Sequence, residues 1–213
     1  TRYLIGQGVK LIVVACNTAS VAALKTLREE FPQIPFVGME PAVKPAAEHT
    51  HTGVVGVLAT YATFQGEVYA SVVERFASGV TVLQDHCPGL VNQVEKGDLN
   101  GPETRQILEN ALLPMLEKGI DTVVLGCTHY PFVIPLIEEI VGPDVRVIDP
   151  APAVARQTER LLTSFGCLAK GPQPGTVRFM TTGDKSLFEN SLPVYLGIEF
   201  KVETVKWNSG RLV

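Results

Sequence analysis

The chain has 213 residues, 46% of them hydrophobic and 19% charged, and its formal net charge at pH 7 is −4. This length is enough for one large domain or for two domains of about 100 residues each, with a proper hydrophobic core in either case. The acidic balance gives no reason to expect nucleic acid or an anionic membrane surface as a partner. No apolar run reaches the roughly 18 residues that a membrane-spanning helix requires, so we expect no membrane span.

Short aliphatic segments alternate with helical patterns along the chain. Strands are predicted at residues 11–15, 36–39, 52–59, 80–84, 122–126 and 145–148. Helices are predicted at residues 19–30, 62–77, 102–118, 131–141 and 153–165, and residues 1–8 are typical of the end of a helix. A loop at residues 170–175 precedes two late strands, at 176–181 and 200–205, which flank a turn-rich segment. Strands without clean alternation, separated by helices, predict an α/β fold with doubly wound parallel sheets.

A cysteine ends an aliphatic run twice in this chain. The two frames, residues 8–18 and 119–129, carry Cys16 and Cys127, and each leads through a helical pattern to a short strand followed by an acid and a proline. The duplication predicts two pseudo-symmetric half-domains, with the active site in the cleft between them. Ligands of such folds bind at the carboxyl ends of the strands, where both thiols lie. Two matched thiols facing one substrate are what a two-base reaction requires.

The predicted half-domains are discontinuous in sequence. The first is formed by residues 1–42 together with residues 153–213, and the second by residues 43–152. Four cysteines in a chain of this size do not make a disulfide framework, and two of them end buried strands. We therefore expect a reducing, cytoplasmic compartment.

Cys16 lies in the motif A-C-N-T-A-S, where a strand turns into a helix. The backbone N–H groups of that helix start, with the hydroxyls of Thr18 and Ser20, predict an anion site, and the same helix dipole favours a thiolate. The alternative is a buried cysteine that packs as a small hydrophobic residue, with Thr18 or Ser20 as an ordinary N-cap.

Cys127 lies in the motif G-C-T-H-Y-P, in which Pro131 suits the first turn of a helix. His129 is two residues from the thiol, so it is a candidate acid–base partner or substrate-orienting group. A single histidine is more often structural. Its place beside a cysteine in a duplicated frame favours function.

Two further patches carry weaker signals. Thr60 and Thr63 follow the strand that ends at residue 59, and their hydroxyls are candidates to bind a carboxylate; the alternative is a capping threonine. Glu95 follows the segment His86-Cys87-Pro88 at the end of another strand, and by itself reads as a solvated helix acid.

Together these motifs resemble the glutamate racemases of the cofactor-independent aspartate/glutamate racemase family. The motifs are A-C-N-T-A-S, T-x-x-T after V-L-A, C-P-x-x-V-x-x-V-E-x-G, G-C-T-H-Y-P, and T-T-G-D before a helix that contains phenylalanine. The resemblance extends from about residue 8 to residue 207.

The resemblance implies a two-base racemisation of glutamate without pyridoxal phosphate or a metal. By analogy with the family, Cys16 would deprotonate D-glutamate and Cys127 would deprotonate L-glutamate, while Glu95 and His129 would tune or relay protons near Cys127. The substrate's carboxylates and ammonium group would be held by Asn17, Thr18, Thr60, Thr63 and Thr128. The product, D-glutamate, would supply peptidoglycan synthesis, and hence the cell wall and cell shape, in the bacterial cytoplasm. The family also implies a homodimer.

The sequence departs from the family pattern at its start. The family begins with a strand, an Asp-Ser and glycine-rich loop and a Pro-Tyr-Gly segment, and none of these occurs in this chain. We therefore expect a first half-domain that is incomplete at its N-terminus, and the activity of this polypeptide is left open.

Three alternatives remain at this stage. One is an aspartate or hydantoin racemase, or a related decarboxylase, which would prefer another substrate. The second is a truncated homologue that binds ligands or partners without catalysing proton exchange. The third is a metal site built from Cys16, Cys87, Cys127 and His129, although no C-x-x-C pair is present.

Overall fold

The computed structural model describes residues 1–171 and 175–213, with the side chains of residues 67 and 68 left aside. The predicted loop at 170–175 therefore falls partly outside the described residues. The chain forms two compact units: Thr1–Lys10 with Leu162–Val213, and Leu11–Leu161. Every candidate site residue lies in the second, larger unit. The half-domain boundaries at residues 42 and 153 stay a prediction.

The elements alternate along the chain as expected. The strands are β1 (Ile12–Val13), β2 (Phe36–Val37), β3 (Val54–Ala59), β4 (Thr81–Asp85), β5 (Thr122–Gly126), β6 (Arg146–Ile148), β7 (Phe179–Thr181), β8 (Val202–Thr204), β9 (Trp207–Asn208) and β10 (Arg211–Leu212). The helices are α1 (Arg2–Gly6), α2 (Asn17–Glu30), α3 (Val43–His49), α4 (Tyr61–Phe64), α5 (Glu67–Phe76), α6 (Leu90–Glu95), α7 (Pro102–Glu117), α8 (Ile134–Val141), α9 (Ala151–Ser164) and α10 (Lys185–Leu196). Among the described helices, none is both long and apolar enough to cross a membrane.

The larger unit is built on parallel sheets. β1 pairs with β2, and a separate four-stranded sheet has the order β4-β3-β5-β6, with every pair parallel. The predicted α/β fold with parallel sheets is thus confirmed. β5 is buried along its whole length, whereas β4, at the edge of the sheet, has only exposed and half-buried residues. The expectation of burial on both faces therefore holds for the central strands and fails at the edges.

One hydrophobic cluster of the larger unit lies between the four-stranded sheet and the helices α3 and α5. Val55, Val57 and Val124 are fully buried there against Val43 and Ala46 of α3. α3 was not predicted because its sequence, V-K-P-A-A-E-H, contains a proline and is only seven residues long. Packing against α5 and the sheet stabilises it, since a helix this short is marginal alone.

The helix predicted at residues 62–77 is instead two helices. The chain leaves the helical conformation at Gly66, which has ψ of 134° and caps α5. A side chain at this position would collide with the Val21 side chain of α2. The break therefore lets α2 pack closely against the segment that carries Thr60 and Thr63. Similarly, the helix predicted at 131–141 begins as a 3₁₀ turn, Tyr130–Val133, before α8.

The smaller unit contains the remaining elements. The two late predicted strands are present as β7 and β8, which pair in parallel, and β9 and β10 form an antiparallel hairpin. Between β7 and β8, the residue pattern predicts turns and the family resemblance predicts a phenylalanine-containing helix; the structure has the helix α10 there. Asp184 caps this helix by accepting a hydrogen bond from the Leu187 N–H at 3.0 Å.

Asp121 fastens the loop before β3 at the amino-terminal edge of the sheet. Its carboxylate accepts hydrogen bonds from two hydroxyls and two backbone N–H groups, those of Thr50, Thr122, His51 and Thr52. Burial raises the pKa of Asp121, but these hydrogen bonds outweigh it and hold the pKa at about 2.

Replacing Asp121 with asparagine is expected to lower the free energy of unfolding by about 1–3 kcal/mol at neutral pH, because charged hydrogen-bond acceptors are lost. Since the pKa of Asp121 falls from 3.8 to about 2 on folding, its stabilising contribution is present above about pH 4 and is lost as the pH falls toward 2. Urea unfolding at several pH values measures this. Asp144→Asn, an exposed carboxyl in the same surface hollow, is the matched control. Equal stability losses in both variants would contradict the assignment.

Candidate active site

The carboxyl ends of β1, β3 and β5 bring the candidate residues together within the larger unit. Gly126, the last residue of β5, has no room for a side chain, since an added Cβ would lie 2.7 Å from Ala59 and 3.1 Å from Pro41. Ala59 ends β3, and Pro41 follows β2. This close approach places Cys127 beside the ends of both sheets.

Cys16 itself is the N-cap of α2. Its Sγ accepts a hydrogen bond from the Ala19 N–H at 3.4 Å, and its backbone is extended, with φ of −157°. The alternative interpretation, in which Thr18 or Ser20 is the N-cap of this helix, is therefore wrong. A thiol in this position lies at the positive end of the helix dipole.

Ser20 has a structural role. Its buried hydroxyl donates to the Val14 carbonyl at 3.1 Å and accepts from the Met39 N–H at 2.9 Å. These hydrogen bonds connect the segments that follow the carboxyl ends of β1 and β2. Since its hydrogen-bonding capacity is used within the protein, Ser20 does not belong to the predicted anion site.

Three threonine hydroxyls form a triangle next to this helix start. Thr18 Oγ1 lies 2.8 Å from Thr60 Oγ1 and 3.1 Å from Thr63 Oγ1, and the last two oxygens are 3.0 Å apart. Thr60 also caps α4 by accepting from the Thr63 N–H at 3.4 Å. Capping and ligand binding are thus compatible at Thr60. The triangle concentrates hydroxyl donors that suit a carboxylate.

Asn17 contributes an unsatisfied amide. Its side chain is only 1% exposed, and neither its oxygen nor its nitrogen has a hydrogen-bond partner within the described part of the chain. Buried polar groups are nearly always paired in proteins. The unpaired amide of Asn17, next to Cys16, is therefore a candidate to bind a ligand.

Cys127 is a buried thiol, 7% exposed. Burial raises its pKa, and the negative charge of a Cys16 thiolate raises it further. Hydrogen bonds from the His129 and Tyr130 N–H groups act in the opposite direction. The charge of Cys16 thus acts on the pKa of Cys127, so Cys127 lies within electrostatic reach of Cys16.

His129 connects Cys127 to a carboxylate. Its Nδ1 lies 3.7 Å from the Cys127 Sγ, and its Nε2 lies 3.2 Å from Glu95 Oε1. The side chains of His129 and Glu95 are 34% and 65% exposed. A thiol, an imidazole and a carboxylate in this order can pass a proton to and from the sulfur. The structure therefore brings both of these predicted residues to Cys127.

Thr128 lies between Cys127 and His129 and is half-buried. Its position at the end of β5 is the one expected, although no hydrogen bond of its side chain is found among the described residues. Tyr130, to which the sequence analysis assigned no role, is fully buried directly behind this turn.

The metal-site alternative is not supported by the geometry. In the residues that the structure describes, no three histidine, cysteine or acidic side chains are arranged to hold a metal ion. Cys87 is buried, and burial together with the nearby Asp85 carboxylate raises the pKa of its thiol well above the usual range, which disfavours a metal-binding thiolate.

The comparison with known proteins agrees with this arrangement. The sequence profile of the Asp/Glu/hydantoin racemase family matches residues 2–158 of the chain. The chain belongs to this family. Cys16, Cys127 and all the other candidate site residues lie inside the matched region.

Relatives within the Asp/Glu/hydantoin racemase family are similar over most of the chain. A glutamate racemase from Pseudomonas aeruginosa PAO1 is 52% identical over 195 residues, which cover 92% of this chain and 73% of that protein. The crystal structure of a glutamate racemase isoform from Bacillus anthracis has a TM-score of 0.82 at 33% identity, and the match covers 98% of this chain and 77% of that one. The glutamate racemase of Francisella tularensis, crystallised in complex with D-glutamate, has a TM-score of 0.79 at 29% identity, over 96% and 76% of the two chains.

Proposed function

We propose that this protein is a glutamate racemase that interconverts L- and D-glutamate by proton transfer between Cys16 and Cys127. The observation that carries the proposal is the pair of thiols that follow β1 and β5, close enough for the charge of Cys16 to raise the pKa of Cys127. Glutamate is the proposed substrate because relatives that are about 50% identical to this chain are named glutamate racemases.

The proposed reaction uses one thiolate and one thiol in each turnover. With L-glutamate, the Cys127 thiolate takes the α-proton, so the Cα–H bond breaks and its electron pair moves toward the α-carboxylate. The Cys16 thiol then delivers its proton to the opposite face of the α-carbon, which gives D-glutamate and leaves Cys16 as the thiolate. D-glutamate reacts by the same steps in reverse, with Cys16 as the base.

The difficult step is removal of a weakly acidic α-proton by a thiolate, whose ordinary pKa is about 8.5. The carbanion must therefore be strongly stabilised by donors directed at the α-carboxylate and by exclusion of water. Asn17, with its unpaired amide, and the hydroxyls of Thr18, Thr60, Thr63 and Thr128 are the proposed donors. Such a site needs neither pyridoxal phosphate nor a metal.

The Cys127 thiolate requires help because burial raises the pKa of this thiol. His129 is proposed to accept and return its proton through Nδ1, at 3.7 Å from the sulfur. Glu95 holds the other imidazole nitrogen and thereby fixes the orientation of the ring. On the side of Cys16, the N–H groups at the start of α2 would stabilise negative charge on the sulfur, which already accepts from the Ala19 N–H.

The proposed setting is the cytoplasm of a bacterium, where D-glutamate feeds peptidoglycan synthesis, the cell wall and cell shape. The organisms of the named relatives are bacteria, which supports this setting. A homodimer is the proposed assembly, by analogy with the family.

The test is turnover of L-glutamate and L-aspartate by the purified protein, followed by circular dichroism. We expect loss of optical activity with glutamate, at least about tenfold slower loss with aspartate, and rates that are unchanged by EDTA, since a mismatch of one methylene group is worth about 10- to 200-fold. Faster turnover of aspartate would contradict the choice of substrate. Binding of glutamate without turnover would favour a binding protein.

A further inference from the structure

Tyr130 occupies a position that the proposed chemistry does not use. It follows His129 directly, and its side chain is 0% exposed. Burial raises the pKa of its phenol well above the usual range, so the hydroxyl stays protonated and remains a hydrogen-bond donor. It donates to the main-chain carbonyl of His86 at 3.3 Å.

This hydrogen bond joins the two segments that carry the proton relay. Tyr130 begins the 3₁₀ turn after Cys127 and His129, and its own N–H donates to the Cys127 carbonyl at 3.2 Å. His86 lies in the loop between β4 and α6, and α6 ends at Glu95. The segments are 44 residues apart in sequence.

The relay contact cannot hold these segments together by itself. Glu95 and His129 meet at 3.2 Å, but their side chains are 65% and 34% exposed. Ion pairs and hydrogen bonds exposed to this degree contribute little to stability. The buried contacts must therefore set the position of α6, namely the Tyr130 bond and the packing of Leu90 and Val94, which are 0% and 1% exposed.

The loop before α6 has an unusual backbone that depends on such contacts. Cys87 has φ of 43°, in the left-handed region that residues with a side chain rarely adopt. The Asp85 carboxylate holds this turn by accepting from the Cys87 N–H at 2.7 Å. Tyr130 secures the neighbouring peptide, whose carbonyl would otherwise lose its partner.

We infer that Tyr130 is a positioning residue, whose hydroxyl holds α6 so that Glu95 reaches His129 and thereby acts on Cys127. This inference rests on the proposed function and deepens it. It assigns to Tyr130 an effect on proton transfer at Cys127 alone, and none on transfer at Cys16.

The test begins with Tyr130→Phe, which removes the hydroxyl and keeps the packing. The equilibrium constant of racemisation is one, so any substitution changes kcat/KM equally for L- and D-glutamate. Isotope effects are therefore needed to show which of the two proton transfers, at Cys127 or at Cys16, has become slower. We expect kcat/KM to fall about tenfold, as small displacements in an active site do. The primary deuterium isotope effect should rise for L-[2-²H]glutamate, whose proton Cys127 takes, and not for D-[2-²H]glutamate.

A double-mutant cycle with Glu95→Gln distinguishes positioning from general damage. Because Tyr130 acts through Glu95, the loss in the double variant should match that of Glu95→Gln alone within about twofold. Tyr3→Phe, which removes a hydroxyl bonded to Met180 in the smaller unit, is the matched control and should leave the rates unchanged. A Tyr130→Phe protein that is less stable in urea but has unchanged isotope effects would overturn the inference.

A second measurement does not depend on activity. Nitrogen-15 NMR of labelled histidines, with His129 identified from His129→Gln, reports the hydrogen bond at its Nε2. We expect Tyr130→Phe to shift the His129 ring signals toward those of Glu95→Gln. Unchanged ring signals would overturn the role of Tyr130. Absent racemisation by the unaltered protein would instead refute the proposed function, and the NMR result would still decide whether Tyr130 positions Glu95.

Discussion

Replacing either Cys16 or Cys127 with serine is expected to lower the rate of glutamate racemisation by about 10³-fold or more, because each thiol serves as general acid or base in every turnover. A serine hydroxyl is far too weak an acid to supply the corresponding base at neutral pH. Circular dichroism of reactions started from each enantiomer measures the loss. Each variant should be impaired with L-glutamate and with D-glutamate. In either direction one sulfur removes the α-proton and the other protonates the resulting carbanion, so both are needed.

Cys167→Ser is the matched control for these variants. Cys167 is a half-buried thiol in the smaller unit, where its Sγ donates to the Phe165 carbonyl at 3.4 Å. Its replacement should leave the rate within about twofold, as expected for a substitution away from the site. A Cys16→Ser protein with more than about a tenth of the unaltered rate would contradict a two-base mechanism.

Removing the hydroxyl of Thr18 is expected to have the next largest effect. Thr18→Val takes away the oxygen that lies 2.8 Å and 3.1 Å from the Thr60 and Thr63 hydroxyls. A hydrogen bond to a charged group is worth about 1.5–3 kcal/mol, which corresponds to a rise in KM of about 10- to 150-fold for both enantiomers. Initial rates over a range of glutamate concentrations measure this change.

Thr18→Ser separates the hydroxyl from the methyl group of the same side chain. Serine keeps the donor, so we expect its KM within about threefold of the unaltered value, because only the methyl group of a half-buried side chain is lost. Similar KM values for the valine and serine variants would show that the hydroxyl triangle does not bind the substrate.

The central part of the fold was predictable from local pattern. β5 runs from residue 122 to residue 126, as predicted, because an aliphatic run bounded by Asp121 and Cys127 is typical of a strand buried on both faces. The duplicated cysteine frames also marked the two strand ends that carry Cys16 and Cys127. The aliphatic run and the repeated cysteine frame can each be recognised in the sequence without knowledge of the tertiary structure.

Features that depend on tertiary packing were missed. The break at Gly66 follows from contact with Val21, and α3 is stabilised by its packing rather than by its sequence. The edge position of β4 explains its exposure, and strand order is not encoded in a strand's own residues. In each case the deciding contact comes from a segment distant in the chain.

The same distinction applies to the candidate site. Cys16 and Cys127 stand out in the sequence because their frames are duplicated, and His129 because it is two residues from a thiol. By contrast, the structural use of Ser20 depends on its bonds to Val14 and Met39. The link from Tyr130 to His86 joins residues 44 positions apart, and no local pattern announces it.

The most direct test of the two-thiol account is α-proton exchange, followed by proton NMR in deuterated water with glutamate of either configuration. The account predicts that the unaltered protein converts each enantiomer into the other and that the inverted product carries deuterium at Cα. It also predicts that inversion is lost in both Cys16→Ser and Cys127→Ser. Inversion that retains the original α-proton, or that persists without one of the thiols, would contradict proton transfer between Cys16 and Cys127.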